Sequence, residues 1–202
     1  KLPRRSPAFP YVSDAVRNDT FFNEDAARGA KELLITEGLP DCVSAQQTGI
    51  PCVSPGTTRF RAADLPKLLE LTRRVDKVVI CNDSEESGAG RDGAMSIAAA
   101  LTAEGRRVRI ATLPRPAGRK KVDLNEFVKE AGGDALREVV ATARWYVDEL
   151  LHGIPAETSP QELKSALAPV LSALAGRDIA ERDHYVGLIS GKYGVTKRGV
   201  RE

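Results

Sequence analysis

The chain has 202 residues, 42% of them hydrophobic and 29% charged, with a formal net charge of +2. That length holds one α/β domain and a smaller appendage, and the composition excludes disordered and fibrous classes. So small a net charge does not by itself argue for nucleic-acid binding, and no apolar run approaches the ~20 residues of a membrane span.

The three cysteines, Cys42, Cys52 and Cys81, stand far from His152 and His184, which excludes a zinc spacing. Buried free thiols in a reducing compartment are expected, which places the chain in the cytoplasm. Lys1 at the start and Glu202 after a basic run read as the ends of a piece of a longer polypeptide.

In chain order, Glu24 to Arg28 reads as a short helix, and Leu33-Leu34-Ile35 as a strand buried on both faces. Asp41 to Gln47 is helical, and Ile50 to Ser54 is extended up to the stop at Pro55-Gly56. Asp64 is expected to cap a helix from Leu65 to Arg73. Lys77 to Cys81 forms the second clear strand, Gly93 to Glu104 an alanine-rich helix, and Val108 to Leu113 a third strand. A loop, PRPAGRKK, then leads through Asp123 into a short helix, Leu124 to Glu130. Alternating strands and helices predict an open parallel sheet flanked by helices. Beyond Gly132-Gly133 come three helical patterns, Ala135–Leu151, Pro160–Ala175 and Ile179–Lys192, with no strand. The expected division is an extension over 1–23, an α/β domain over 24–132 and an all-helical region over 133–202.

The segment CNDSEESGAGRDGA holds a G-x-G-x-x-G at Gly88, Gly90 and Gly93. A dinucleotide site wants its first glycine directly after the strand and an acidic residue at the end of the next strand. Here Asp83 to Ser87 intervene, and VRIATLP ends without a carboxylate. Like charges 4 Å apart repel by about 4 kcal/mol at an effective dielectric near 20, so Asp83, Glu85 and Glu86 would oppose a pyrophosphate. The glycines are not a phosphate cradle.

The carboxylates make sense together. Strand ends of a parallel sheet share one edge, which brings Glu37 and Asp83 near each other, with Glu85 two residues on and Asp41 and Asp123 close by. Such crowding calls for a hard cation, and all-oxygen donors suit Mg²⁺ or Mn²⁺. Taken one at a time, solvation or helix capping explains Asp83 or Asp123 better, and only the joint pattern points to a cation.

The ordered series LLITEGLPD, SPGTT, VVICNDSEESGAG and KVDLNEF resembles the Toprim domain of DnaG-type primases and phage primase-helicases, from about Asn23 to Glu130. The resemblance implies that Glu37 is an acid-base or metal-binding glutamate, Asp41 its companion aspartate, and Asp83 with Glu85 the metal-binding pair. Asp123 and Asn125 fall on the trailing acidic pair of the metal cluster. Two departures stand out: Glu85 replaces an aspartate and Asn125 a carboxylate.

Together these readings imply a catalytic fragment of a primase, using Mg²⁺ or Mn²⁺, nucleoside triphosphates and a single-stranded DNA template. Glu37, Asp83 and Glu85 are the expected catalytic residues, and Glu37, Asp41, Asp83, Glu85, Asp123 and Asn125 the metal set. Arg59, Arg91, Arg115, Arg119, Lys120 and Lys121 are candidates for nucleotide or template phosphates. Lys192, Lys197, Arg198 and Arg201 in the tail suit a phosphate backbone or acidic partner, or simply a solvated helix face. A helicase or other replication partner on the helical tail is a further expectation. A Toprim nuclease and a non-catalytic metal- or nucleotide-binding module remain as alternatives.

Overall fold

The computed structural model describes residues 20–55 and 60–201. Arg59, most of SPGTT and nearly all of the expected N-terminal extension lie outside the described residues.

A short β1 (Phe21–Phe22) and a 3₁₀ turn (Glu24–Ala27) lead into β2 (Glu32–Thr36), followed by α1 (Leu39–Gln47) and β3 (Cys52–Pro55). A second 3₁₀ turn (Ala62–Asp64) opens α2 (Leu65–Leu71), and then come β4 (Lys77–Cys81), β5 (Ser84–Glu85) and α3 (Ala89–Ala103). Next follow β6 (Val108–Ile110), β7 (Lys121–Val122), α4 (Leu124–Ala141), β8 (Arg144–Trp145) and α5 (Tyr146–His152). Helices α6 (Pro160–Leu174), α7 (Ile179–Tyr193) and α8 (Lys197–Arg201) close the chain.

Six strands form one sheet in the order β1-β3-β2-β4-β6-β8. The inner four, β3, β2, β4 and β6, are parallel, and the edge strands β1 and β8 run antiparallel to their neighbours. This is the expected α/β architecture.

The period of two along the strands sorts the core. Leu33, Ile35, Val78 and Ile80 face one side, where α2, α3, α5, α6 and α7 pack through residues such as Leu68, Leu101, Leu167 and Ile189. Leu34, Val79 and Cys81 face the other, against α1 and α4 through Cys42, Ala45, Leu136 and Val140. All three cysteines are buried and free. Among the described residues no helix is long and apolar enough to cross a membrane.

Four local readings are corrected. First, a strand does follow Gly133: β8 pairs with β6, Arg109 opposite Trp145. The Arg109 guanidinium lies 4.2 Å from the Trp145 ring centroid, a cation–π contact that fixes this pairing. Second, the helix expected over Ala135–Leu151 stops at Ala141, ahead of β8 and α5; the backbone does leave helical geometry at Gly132 (φ 87°, ψ 168°), so α4 is two helical stretches meeting at that glycine. Third, Asp64 does not cap α2 by a side-chain bond; its carboxylate takes the Arg61 backbone N–H at 2.7 Å and the Arg61 guanidinium. Arg61 holds that carboxyl below its ordinary value. Fourth, Lys192 is not a free cation: its Nζ donates to the carbonyls of Leu151 and Ile154 at 2.6 and 2.8 Å, tying α7 to the end of α5.

Candidate metal centre

The register of β2 on β4 places Thr36 opposite Cys81, the last residues of two parallel strands. Glu37 and Asp83 therefore leave the sheet at the same edge, one and two residues past that pair. Glu37 is half-buried, and its carboxyl is pushed above its ordinary value. Burial is the main cause, and Asp83, Glu85 and Asp41 add to it. Those interactions bring the expected acidic residues into one electrostatic neighbourhood.

A two-stranded ribbon frames the site. β5 pairs antiparallel with β7, Ser84 opposite Val122 and Glu85 opposite Lys121. The pairing brings the Lys121 ammonium to 2.5 Å from Asp83 Oδ2. This bond holds the Lys121 pKa above its ordinary value, with Glu85 and Glu37 contributing. Lys121, expected to meet a phosphate, is here the internal counter-charge of the acidic edge. Two-residue strands carry no periodic signal, and so the ribbon was not legible in the sequence.

The glycines have specific work to do here. Gly88 precedes α3 in the left-handed conformation, φ 77°. A Cβ on Gly90 would lie 2.1 Å from the Asp83 carbonyl oxygen, so α3 docks on the backbone of the acidic residue itself. Asn82 Nδ2 donates to the Gly90 carbonyl at 3.1 Å and completes the joint. The loop is therefore more than slack: close packing at Gly90 sets where Asp83 stands.

The remaining expected ligands are more deeply committed to the fold. Asp41 is buried, at 7% exposure, and accepts the backbone N–H groups of Asn125 (2.9 Å) and Gly38. The Gly38 bond is half of a capping box, an N3 carboxylate reaching back to the N-cap. A Cβ on Gly38 would lie 2.6 Å from Asp41 Oδ2, which accounts for glycine after Glu37. Asp123 caps α4, accepting from Glu126 N at 2.7 Å, and Asn125 Oδ1 accepts from Ser44 Oγ at 2.9 Å. Asp41 and Asn125 thus fasten α4 to α1. The Asn125 departure has a local reason, since an amide oxygen serves that hydrogen bond as well as a carboxylate would.

Burial pushes the Asp41 carboxyl from 3.8 up to about 6, with the Asn125 bond opposing and Asp83 and Asp123 reinforcing the rise. Between those values the folded chain binds more protons than the unfolded one, so this contribution to stability falls as pH rises through the window. In metal-free buffer, the melting temperature of Asp41→Asn relative to wild type is expected to move in the variant's favour from pH 4 to pH 7. A difference that stays constant over that range contradicts the assignment.

Most of the basic candidates are engaged elsewhere. Arg91 pairs with Glu149 at 3.1 Å, and Arg115 donates to the Arg119 carbonyl at 2.7 Å. Arg119 grips Glu130 with two bonds of 2.7 Å and also meets Glu126. Lys120 is exposed, and its carbonyl accepts from Glu86 N at 2.9 Å. Glu86 is exposed, and it is Glu85 whose charge acts on Glu37, which makes Glu85 the second member of the pair.

A cavity of about 490 Å³ opens beside the carboxylates, lined by Glu37, Asn82 and Glu85 at one end and by Phe60, Leu68 and Ile97 along its walls. Asn82 Oδ1, buried and without a hydrogen-bond partner among the described residues, marks Asn82 as a site residue that the sequence did not single out. Only the fold shows that this side chain, between two obvious signals, faces the cavity.

A family model described as Toprim-like matches residues 34–128, from β2 into α4. The chain contains a Toprim domain. The relatives it resembles are DNA primases. The DNA primase of Clostridium acetobutylicum is 26% identical over 83% of this chain, and the chain spans 27% of that protein's length. The fold of an Aquifex aeolicus primase structure, comprising zinc-binding and RNA polymerase domains, superposes with a TM-score of 0.69 at 21% identity. That match covers 98% of this chain and 48% of the other. A DnaG primase catalytic domain bound to single-stranded DNA gives 0.69 at 22% identity, covering 93% and 60%.

Toprim primases are metal-dependent. Among the described residues no three acidic, histidine or cysteine side chains are gathered as a ready metal cage. The donor chemistry of the Toprim edge nevertheless fits a hard cation: Glu37, Asp83 and Glu85 repel one another, and the orphaned Asn82 oxygen adjoins them. Mg²⁺ characteristically takes only one or two carboxylates and fills its shell with water and phosphate oxygens.

If Lys121 is the resident counter-charge, a cation must displace it. Lys121→Met is expected to tighten Mn²⁺ binding by about twofold to fivefold, the scale of a half-exposed ion pair. Calorimetric titration checks this, and weaker binding in the variant would contradict it.

Proposed function

We propose that this chain is the Toprim catalytic portion of a primase that joins nucleotides on a single-stranded DNA template. The observation that carries the reading is the convergence of Glu37 and Asp83, with Glu85, at one edge of a Toprim sheet. The DNA-bound catalytic domain with the same fold supports a single-stranded template.

Glu37, Asp83 and Glu85 hold Mg²⁺ or Mn²⁺. When bound, such a cation polarises phosphoryl oxygens and makes the primer 3′-hydroxyl easier to deprotonate. Joining forms a bond from that 3′-oxygen to the α-phosphorus of a nucleoside triphosphate and releases pyrophosphate. The proton needs an acceptor, and Glu37, whose carboxyl burial and neighbouring negative charge raise, suits that part. Lys121, once displaced from Asp83, is placed to meet the incoming phosphates.

Buried free thiols support a cytoplasmic setting. Docking of a helicase or another replication partner on the helical tail is supported by exposed Leu171, Ile179 and Leu188. The test is primer synthesis by the parent protein on single-stranded DNA. Priming is expected to disappear in the pair Glu37→Gln with Asp83→Asn, and priming that survives overturns the reading.

A further inference from the structure

Glu149, in the first turn of α5, is a carboxylate at 6% exposure in a fold that otherwise buries few charges. A buried carboxylate is costly unless it is paired and hydrogen-bonded. Glu149 is paired twice. Arg91 Nη2, from α3, reaches Oε2 at 3.1 Å, and Arg144 Nη1, from β8, reaches Oε1 at 3.2 Å.

The two guanidiniums would repel each other without that carboxylate between them. Each spends one N–H on Glu149, and a guanidinium has five. Their side chains are 49% and 54% exposed, so the unused donors face outward. The trio carries a net charge of +1 and sits in a cavity of about 480 Å³. Thr112, Thr142 and His152 add polar lining, over a floor that includes Ile110 and Val139.

The position of this pocket is informative. Arg91 directly follows Gly90, the glycine that packs on the Asp83 carbonyl. Ile110 ends β6, the parallel neighbour of β4, so the pocket opens at the same sheet edge as the acidic group. A clamped arginine and the glycine that seats α3 on the acidic residue are thus neighbours at the start of α3.

We propose that Arg91 and Arg144, held on Glu149, form a phosphate-binding subsite beside the carboxylate edge; this rests on the nucleotidyl-transfer reading. Guanidinium forks match phosphate oxygens two at a time. Anchoring both heads on a buried carboxylate in advance reduces the ordering cost of binding. The phosphate belongs either to the backbone of a single strand or to a nucleoside triphosphate, and both present the same oxygens.

The experiment uses the 202-residue chain in two arms: anisotropy of a labelled single-stranded DNA over a salt series, and calorimetry with ATP in the presence of Mn²⁺. Arg144→Gln is expected to weaken one arm by about tenfold, the loss of a charge-assisted fork. If the strand is the ligand, the slope of log affinity against log salt falls by about 0.7 as well. Loss in the DNA arm assigns the strand, and loss in the ATP arm assigns the nucleotide. Thr142→Glu, which adds a carboxylate at the pocket rim, is expected to give the same loss without disturbing the clamp. Unchanged affinity in both arms for both variants, with melting temperatures at the wild-type value, overturns the subsite. Mn²⁺ binding measured alone reports on the acidic edge separately, so a failed subsite is distinguishable from a failed metal centre.

Discussion

Asp83→Asn is expected to keep the fold and lower Mn²⁺ affinity by at least about 100-fold, with a matching loss of priming in the parent protein. Even residues standing behind metal ligands cost about 10- to 100-fold when removed, and Asp83 belongs to the proposed donor set itself. Folding is spared because the Asp83 side chain stands at the sheet edge, outside both apolar clusters. The Asn side chain also keeps an oxygen that can accept from Lys121. The change removes a charge, and with it the attraction for a dication. Circular dichroism and thermal melting at the wild-type level, together with lost metal binding, is the expected pair of results. Wild-type metal affinity in the variant would remove Asp83 from the site.

Gly90→Ala is expected to be the most disruptive glycine-to-alanine substitution among the described residues. Its added Cβ would lie 2.1 Å from the Asp83 carbonyl oxygen and 3.0 Å from the carbonyl carbon, backbone atoms that cannot swing aside. Either α3 lifts from the strand end or Asp83 is pushed outward, at a cost of about 1–3 kcal/mol for overpacking. For a chain of this size that corresponds to a melting temperature lower by roughly 2–12 °C. Metal affinity falls with it, because the displaced atom belongs to the residue that binds. Gly88→Ala is the control: at φ 77° it carries backbone strain of about 1–2 kcal/mol, but an added Cβ meets nothing within 4 Å. Similar destabilisation in the two variants, with metal affinity lost only in Gly90→Ala, separates backbone strain from close packing. Equal loss of metal affinity in both would refute the role given to Gly90.

These expectations turn on contacts of different legibility. That Glu37 and Asp83 meet was readable, because apolar runs such as Leu33-Leu34-Ile35 and Val78-Val79-Ile80 mark strands buried on both faces. Strands joined through helices run parallel and so end at one edge. The packing of Gly90 on the Asp83 backbone was not readable, since glycine spacing does not show what a Cβ would meet. Nor were the extra strand at Arg144–Trp145 and the ribbon at Ser84–Glu85. Two residues are too few to show a period, and each pair exists only because a distant partner supplies its hydrogen bonds.

The basic residues illustrate the same limit. A loop reading PRPAGRKK has the composition of a phosphate-binding segment, yet Arg119 is tied to Glu126 and Glu130, and Lys121 to Asp83. Charge in a sequence says that a partner is needed, and not which one. The Arg91–Glu149 pair joins positions 58 residues apart, and no local pattern announces it.

By itself, then, the sequence determined the alternating α/β frame, the Toprim resemblance, the buried thiols and the acidic edge. All of these follow from local periodicity and from the shared direction of parallel strands. Only the tertiary structure decided that Asp41 and Asn125 fasten α4, that Lys121 neutralises Asp83, that Gly90 seats α3 on Asp83, and that Glu149 gathers two arginines. Those choices depend on which side chains a fold brings within hydrogen-bond reach, and that is a property of packing between elements distant in the chain.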